Sequence, residues 1–382
     1  MDIIVTTAFG TEGVTARELR NLGYEDLTVD NGKIVFQGTP EDVARVNMWL
    51  RTAARVLIRV GEFEAKTFEK LFEGVKALPW EDWIPENGRF PVNGKSVQST
   101  LFSISDCQAI TKKAIVEKLK QKYHREIFDE TGVEYKIEVA LLKDIATLTI
   151  DTSGLGLHKR GYRDIVGESP LKETMAATLI LLGYWKKGRI FVDPLCGSGT
   201  LPIEAAMIAK NIAPGLNRQF AAEKWNNFDP AVWKKVREEA ISLIDEDVPL
   251  TIFGSDINPK AVELANFHAE KAGVDDCVSF KRMNVADFVS KDEYGFIVTN
   301  PPYGERLGEE REVIRLYKSM AETFAKLPSW SYGILTSYEN FEKVFGKRAD
   351  KKCKLFNGQL LCHYYQYNGP KPPKKLNRRE NV

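Results

Sequence analysis

At the end of an apolar run, 295-GFIVT-299, the chain reads Asn300-Pro301-Pro302-Tyr303. A residue before proline is pushed into extended backbone and each proline fixes its own φ, so Asn300 to Pro302 is stiff. Neither proline carries an N–H, which removes local donors that nearby carbonyl oxygens would otherwise meet. The Asn300 side-chain oxygen and the Pro301 carbonyl can then both face an external donor. An exocyclic NH₂ of a nucleobase has two hydrogens to give, and two fixed acceptors would hold both while aiming the nitrogen lone pair at an electrophilic methyl group. Tyr303 supplies a face on which an unstacked base can lie. These four residues do not distinguish a guanine amine from an adenine amine.

Three other apolar runs end in residues suited to a nucleoside. The first opens into 193-DPLCGSGTLPIEAAMIA-209, where Gly197 and Gly199 allow a tight turn and close backbone approach, and the next helix offers its N-terminal amides. By itself that turn would serve a dinucleotide, a phosphate or a nucleoside. The third glycine of the dinucleotide fingerprint is replaced by Pro202, and no Gly-Lys-Ser/Thr follows, so a P-loop is excluded. The second run ends in 254-GSDINPKA-261, with Asp256 placed to accept hydrogen bonds from a ribose diol. The third ends in 283-MNVADF-288, with Asp287 placed to accept from an adenine amino group. Either acid alone could equally cap a helix; after a Gly-rich first turn, and in this order, they point to one crevice.

The elements that must position these residues alternate from Ser169 onward. Continuous Ile/Val/Phe runs separated by helices predict a parallel sheet covered on both faces, an α/β doubly wound domain with ligands at the carboxyl ends of its strands. The run 351-KKCKLFNGQLLCHYYQYN-368, joined at Asn357-Gly358, predicts a closing antiparallel hairpin. Residues 1–64 read as a β-α-β-β-α-β ferredoxin-like unit with an Asn31-Gly32 turn, and 65–155 as a second α+β module. Residues 156–168 read as a linker, 169–368 as the α/β domain, and 369–382 as a basic, Pro-rich disordered tail. The stretch 211–250 is longer than a minimal connection, and its Trp225 and Phe228 read as core.

A formal net charge of +1 over 382 residues leaves nucleic-acid binding to local patches. Lys112, Lys113 and Lys120 crowd a helix expected from Asp106 to His124, although a solvated helix face would look the same. His158, Lys159, Arg160 and Arg163 flank Tyr162 in 154-GLGLHKRGYRDIVGESPLKET-174, as phosphate-plus-stacking contacts with RNA would require. The 5 cysteines are scattered and form no C-x-x-C pair, which argues against a disulfide framework or zinc site, so no metal is expected. No leader-like or membrane-spanning apolar run is present, and a cytoplasmic location is expected with no membrane partner.

Taken together, D-P-x-C-G-S-G-T, G-x-D-I-N-P and N-P-P-Y-G, preceded by L-H-K-R-G-Y-R, resemble the THUMP-containing class I S-adenosylmethionine-dependent RNA methyltransferases. Among these the chain is most similar to enzymes that make N2-methylguanine in large-subunit ribosomal RNA, a group often labelled adenine-N6 DNA methylases. The resemblance covers essentially the whole chain and implies a THUMP domain over 65–155 and a methyltransferase domain over 169–368. It implies S-adenosylmethionine as cofactor and structured RNA, of 23S ribosomal type, as partner. Asp193, Cys196, Gly197, Ser198, Gly199 and Thr200 would line the methionine end, with Ser169, Pro170 and Leu171 closing over it. Asp256 and Ile257 would hold the ribose and flank the adenine, Asn284 and Asp287 would contact the adenine edge, and Asn300, Pro301, Pro302 and Tyr303 would form the catalytic face. Adenine N6 methylation and a non-catalytic RNA-binding assembly factor stand as the competing readings; a nicotinamide oxidoreductase lacks its third glycine.

Overall fold

A computed structural model describes residues 1–163, 171–183, 185–303 and 310–373. The N-terminal strands are β1 (Asp2–Thr7), β2 (Thr28–Asp30), β3 (Lys33–Gln37), β4 (Ala53–Glu64), β5 (Val92–Val97), β6 (Ile137–Leu142) and β7 (Ile145–Asp151). With them come helices α1 (Glu12–Asn21), α2 (Pro40–Trp49), α3 (Phe68–Lys76) and α4 (Ile104–Tyr123). Helix α2 starts where a start signal stands in the sequence: the Thr39 hydroxyl accepts from the Asp42 N–H while the Asp42 carboxylate accepts from the Thr39 N–H, with Pro40 at the first helical position. The strands form one seven-stranded sheet in the order β2-β3-β1-β4-β7-β6-β5. The long strand β4 pairs with β1 on one side and β7 on the other, so the two α+β modules expected from the sequence share a continuous sheet.

The remaining strands are β8 (Phe191–Asp193), β9 (Ile252–Asp256), β10 (Val278–Arg282), β11 (Phe296–Thr299), β12 (Ser331–Thr336), β13 (Lys351–Asn357) and β14 (Leu360–Tyr367). The helices are α5 (Glu173–Leu182), α6 (Thr200–Ala209), α7 (Pro230–Ser242), α8 (Pro259–Ala272), α9 (Glu310–Ala325) and α10 (Phe341–Phe345). Sheet order is β10-β9-β8-β11-β12-β14-β13, parallel from β10 through β12, with β14 antiparallel to both its neighbours. This is the expected doubly wound sheet closed by an antiparallel hairpin. Every residue of β8, β11 and β12 is buried, as strands covered on both faces must be. One face carries a core built around Leu179, Phe191, Ala206 and Tyr364, from α5 and α6 onto the sheet. The other carries Ile297, Tyr317, Phe324 and Tyr365 under α9 and α10.

The chain folds into two compact units that do not follow sequence order. One comprises Met1–Thr7, Ala16–Leu157 and Arg218–Glu239; the other comprises Ala8–Thr15, His158–Asn217 and Ala240–Val382. The return of 218–239 to the first unit is anchored by aromatic packing. Trp225 stacks on Tyr135 with ring centroids 5.0 Å apart and donates its indole N–H to the Glu134 carbonyl at 3.0 Å. Trp225 and Phe228 are buried, as expected, but in the first unit's core.

Candidate active site

The order of the second sheet reverses at β8, which pairs with β9 on one side and β11 on the other. Ligand crevices of doubly wound sheets form at such a reversal, outside the carboxyl ends of the strands. Register fixes what stands there. Asp193 lies opposite Gly254, two residues before Asp256, and Val192 lies opposite Ile297, three residues before Asn300. The two sequence motifs therefore flank one reversal point.

The loop after β8 is held from several directions. Cys196 donates its N–H to the Ser255 carbonyl at 2.8 Å, and Gly197 donates to Asp256 Oδ2 at 3.0 Å. His268, fully buried on α8, contacts the Ser198 carbonyl through Nδ1 at 3.0 Å. Gly199, at φ +84°, is required twice: an L side chain is disfavoured at that angle, and a Cβ would lie 2.9 Å from both Ala265 Cβ and Phe280 Cζ. A Cβ on Gly197 would meet nothing within 4 Å, so its side of the turn faces open space.

Asp256 Oδ1 accepts from the Asn258 N–H at 2.9 Å, so each carboxylate oxygen holds one amide and keeps acceptor capacity for a diol. Ile257 beside it is 60% exposed, an apolar surface left uncovered at a strand end. Asn284 caps the short turn Val285–Asp287, its Oδ1 accepting from the Ala286 N–H at 3.0 Å, and Asp287 is exposed. An acceptor pair, a bare aliphatic wall and a glycine turn at a helix N-terminus suit a purine nucleoside carrying a polar tail. Asp193 is buried, and that burial pushes its carboxyl up to about 7, against the opposing pull of the Leu195 N–H, which donates to its Oδ1 at 3.1 Å. Burial also pushes the Cys196 thiol up, which leaves no thiolate nucleophile here.

On the β11 side, the Tyr303 hydroxyl donates to Asn300 Oδ1. Burial pushes the Tyr303 hydroxyl well above its ordinary range, so it stays a donor. The Asn300 oxygen expected to receive an amine is thus already facing an O–H donor. Pro301 is buried, and among the described residues nothing donates to its carbonyl. The Pro302 carbonyl accepts from the Tyr317 hydroxyl at 3.0 Å, which also meets Thr336 Oγ1 at 2.8 Å. Tyr317 was not singled out from the sequence because it shares the buried stripe Val313-Tyr317-Met320-Phe324 of α9 and reads as core.

Several residues expected to meet ligands are placed otherwise. Ser169 and Pro170 lie outside the described residues, and the Leu171 side chain is buried in the core. Arg160 and Arg163 do not offer cations to RNA: their side chains are 1% and 7% exposed and pair with Glu204 and Glu173. Glu204 interrupts the apolar run 201-LPIEAAMIA-209, and a carboxylate in such a run is the signal that could have found its partner. Lys112 lies 3.4 Å from the centroid of the Phe90 ring and pairs with Glu130 at 2.5 Å; Lys120 pairs with Glu117 and Glu126. Lys113 and Lys159 are exposed and His158 is half-buried. Among the described residues no His/Cys/Asp/Glu group could hold a metal ion, and no helix is long and apolar enough to cross a membrane.

Residues 160–366 match the family described as RMKL-like, methyltransferase domain; 2–57 match the RlmL ferredoxin-like domain and 65–151 the THUMP domain. YpsC of Bacillus subtilis (strain 168), named as a candidate RNA methyltransferase, is 53% identical over 96% of this chain and 95% of its own. The ribosomal RNA large subunit methyltransferase K/L of Psychromonas ingrahamii is 33% identical over 98% of this chain, which spans 51% of that relative. SMU.472, a candidate methyltransferase solved with S-adenosylhomocysteine, is 49% identical with a TM-score of 0.92, covering 97% of this chain and 99% of its own. A Listeria monocytogenes protein described as an N6-adenine-specific DNA methylase by prediction is 52% identical with a TM-score of 0.92, over 97% and 96% of the two chains.

Proposed function

Because the chain belongs to the RMKL-like methyltransferase family, carrying RlmL ferredoxin-like and THUMP domains ahead of an S-adenosylmethionine-using domain, we propose that it methylates the exocyclic N2 of a guanine in structured RNA. Large-subunit ribosomal RNA of 23S type, in the cytoplasm, is the substrate we assign. The observation that carries this reading is the Asn300 amide oxygen, held at the end of β11 beside the sheet reversal and already accepting from an O–H donor. An amino group brings a donor of the same kind to the same acceptor, and the Pro301 carbonyl is the second.

S-adenosylmethionine, when bound, supplies the electrophilic methyl group on its sulfonium. In this reading Asp193, Cys196, Gly197, Ser198, Gly199 and Thr200 line its methionine end, Asp256 and Ile257 its ribose and adenine face, and Asn284 and Asp287 the adenine edge. Asn300 and Pro301 hold the two amine hydrogens, which favours a pyramidal nitrogen with its lone pair aimed away from the ring. Pro302, pinned by Tyr317, keeps the strand end from turning, and Tyr303 carries the base once its hydroxyl releases Asn300. The THUMP domain supports RNA as the substrate; the exposed Lys113 is offered as an RNA contact, whereas Lys112 and Lys120 work within their own ion pairs.

Tritiated-methyl transfer to ribosomal RNA, transfer RNA and duplex DNA, followed by nucleoside analysis, tests this. N2-methylguanosine in ribosomal RNA is expected, and label confined to DNA would overturn the assignment. Adenine N6 is the second reading, favoured by the same two acceptors, and would show as N6-methyladenosine in the same digest.

A further inference from the structure

The basic run His158-Lys159-Arg160-Gly161-Tyr162-Arg163 turns inward at its arginines, and its targets are two carboxylates and a helix start. Arg160 meets Glu204 through Nε to Oε1 at 3.3 Å and Nη2 to Oε2 at 3.4 Å, and the Tyr162 hydroxyl donates to the same Oε1 at 3.2 Å. The Glu204 side chain is 0% exposed. Arg163 Nη1 lies 3.0 Å from the Leu171 carbonyl, 3.1 Å from Glu173 Oε1 and 3.3 Å from Thr200 Oγ1. Thr200 and Glu204 stand four residues apart on α6, so one face of the helix is gripped at both positions.

Burial of two ion pairs is weak ground for stability, since apolar side chains of similar size would fill the space as well. What a guanidinium adds is direction: its planar fork fixes several oxygens relative to one another. Here the fixed oxygens belong to the Leu171 backbone, the first turn of α5 and the first residue of α6. We propose that Arg163 is a positioning residue for the methionine end of S-adenosylmethionine, setting the Leu171 segment against the N-terminus of α6 before the cofactor enters. Arg160, through Glu204, holds the same helix one turn deeper. The inference rests on the reading that residues 193–200 line the methionine end.

The test compares two nucleosides on the full-length chain by calorimetry: S-adenosylhomocysteine, and 5′-methylthioadenosine, which lacks the amino-acid end. In Arg163→Met, S-adenosylhomocysteine should bind about tenfold to a hundredfold more weakly, while methylthioadenosine and RNA stay within about twofold, as expected for a lost supporting contact. Arg163→Lys should recover part of the loss, and Glu173→Gln should show the same selectivity more mildly. Those two variants carry the comparison if Arg163→Met does not fold. Equal weakening of both nucleosides would make Arg163 a general structural residue and overturn the proposal. Weakened RNA binding with intact S-adenosylhomocysteine binding would instead restore it as an RNA contact. The underlying cofactor reading is judged separately: wild-type protein must bind both nucleosides, and Asp193→Ala must weaken S-adenosylhomocysteine more than methylthioadenosine if residues 193–200 line the methionine end.

Discussion

At the scale of single residues, Asn300 is assigned a contact that counts in the transition state. Asn300→Ala should slow single-turnover methyl transfer by about 2–4 kcal/mol, the usual effect of one preorganised polar contact, with S-adenosylhomocysteine affinity nearly unchanged. An undiminished rate would remove Asn300 from the chemistry. Asp193 gives a prediction in pH. Its carboxyl titrates at about 7 when folded and near 3.8 when unfolded, so the native state holds the extra proton across that window. The contribution of Asp193 to the stability of the cofactor-free protein must therefore fall as pH rises through it, and level off above. In Asp193→Asn that fall is absent, so its melting temperature should gain on wild type from pH 4 to pH 7; a constant gap would refute the assignment. The strand-end residues were legible because each follows an apolar run directly. Arg160 and Arg163 were misread because a basic run beside a tyrosine looks alike whether it faces water or a buried acid. Glu204 lies 44 residues beyond Arg160 and only the fold joins them.

Among the elements, the strands and most helices were readable from local signals: apolar runs for β8 to β12, Asn-Gly at the hairpins, and Asn258-Pro259 opening α8, where the Asn258 side chain accepts from the Lys260 N–H. Sheet order was legible only as a class, since pairing between β8 and β11 joins segments a hundred residues apart. Helix α7 went unread inside 211–250, a stretch whose local pattern does not say which unit it serves. The β8–α6 connection makes its own prediction. Gly199→Ala meets both a disfavoured φ and two close carbons, and should cost about 1–2 kcal/mol from the backbone conformation alone. Because Gly199 N–H also donates to the Cys196 carbonyl at 2.9 Å, the whole turn moves with it. Urea unfolding together with S-adenosylhomocysteine calorimetry would show both losses; stability at the wild-type level would mean the turn adapts freely.

For the molecule as a whole, the discontinuous units matter most. Trp225→Ala should destabilise the unit it packs in by about 3–5 kcal/mol, as for a buried Trp truncation, while leaving nucleoside affinity close to wild type. Loss of nucleoside binding in step with stability would instead make unfolding a single event across the chain. A fragment ending at Leu157 lacks the Arg218–Glu239 segment, whose Arg218 guanidinium meets the Ser153, Leu155 and Gly156 carbonyls. That fragment should melt lower than the same unit in the full chain, and a peptide of residues 218–239 added in trans should raise its melting temperature. The interleaving also orders events during synthesis. The β8 turn and α6 leave the ribosome before residue 239 does, so the THUMP-bearing unit, though begun first, stays unfinished until the His158–Asn217 segment of the other unit has emerged. The other unit likewise owns residues 8–15, among the earliest made. Each unit thus waits on chain that the other's sequence interrupts, and a transcript cut anywhere between residues 157 and 239 would yield neither module in complete form.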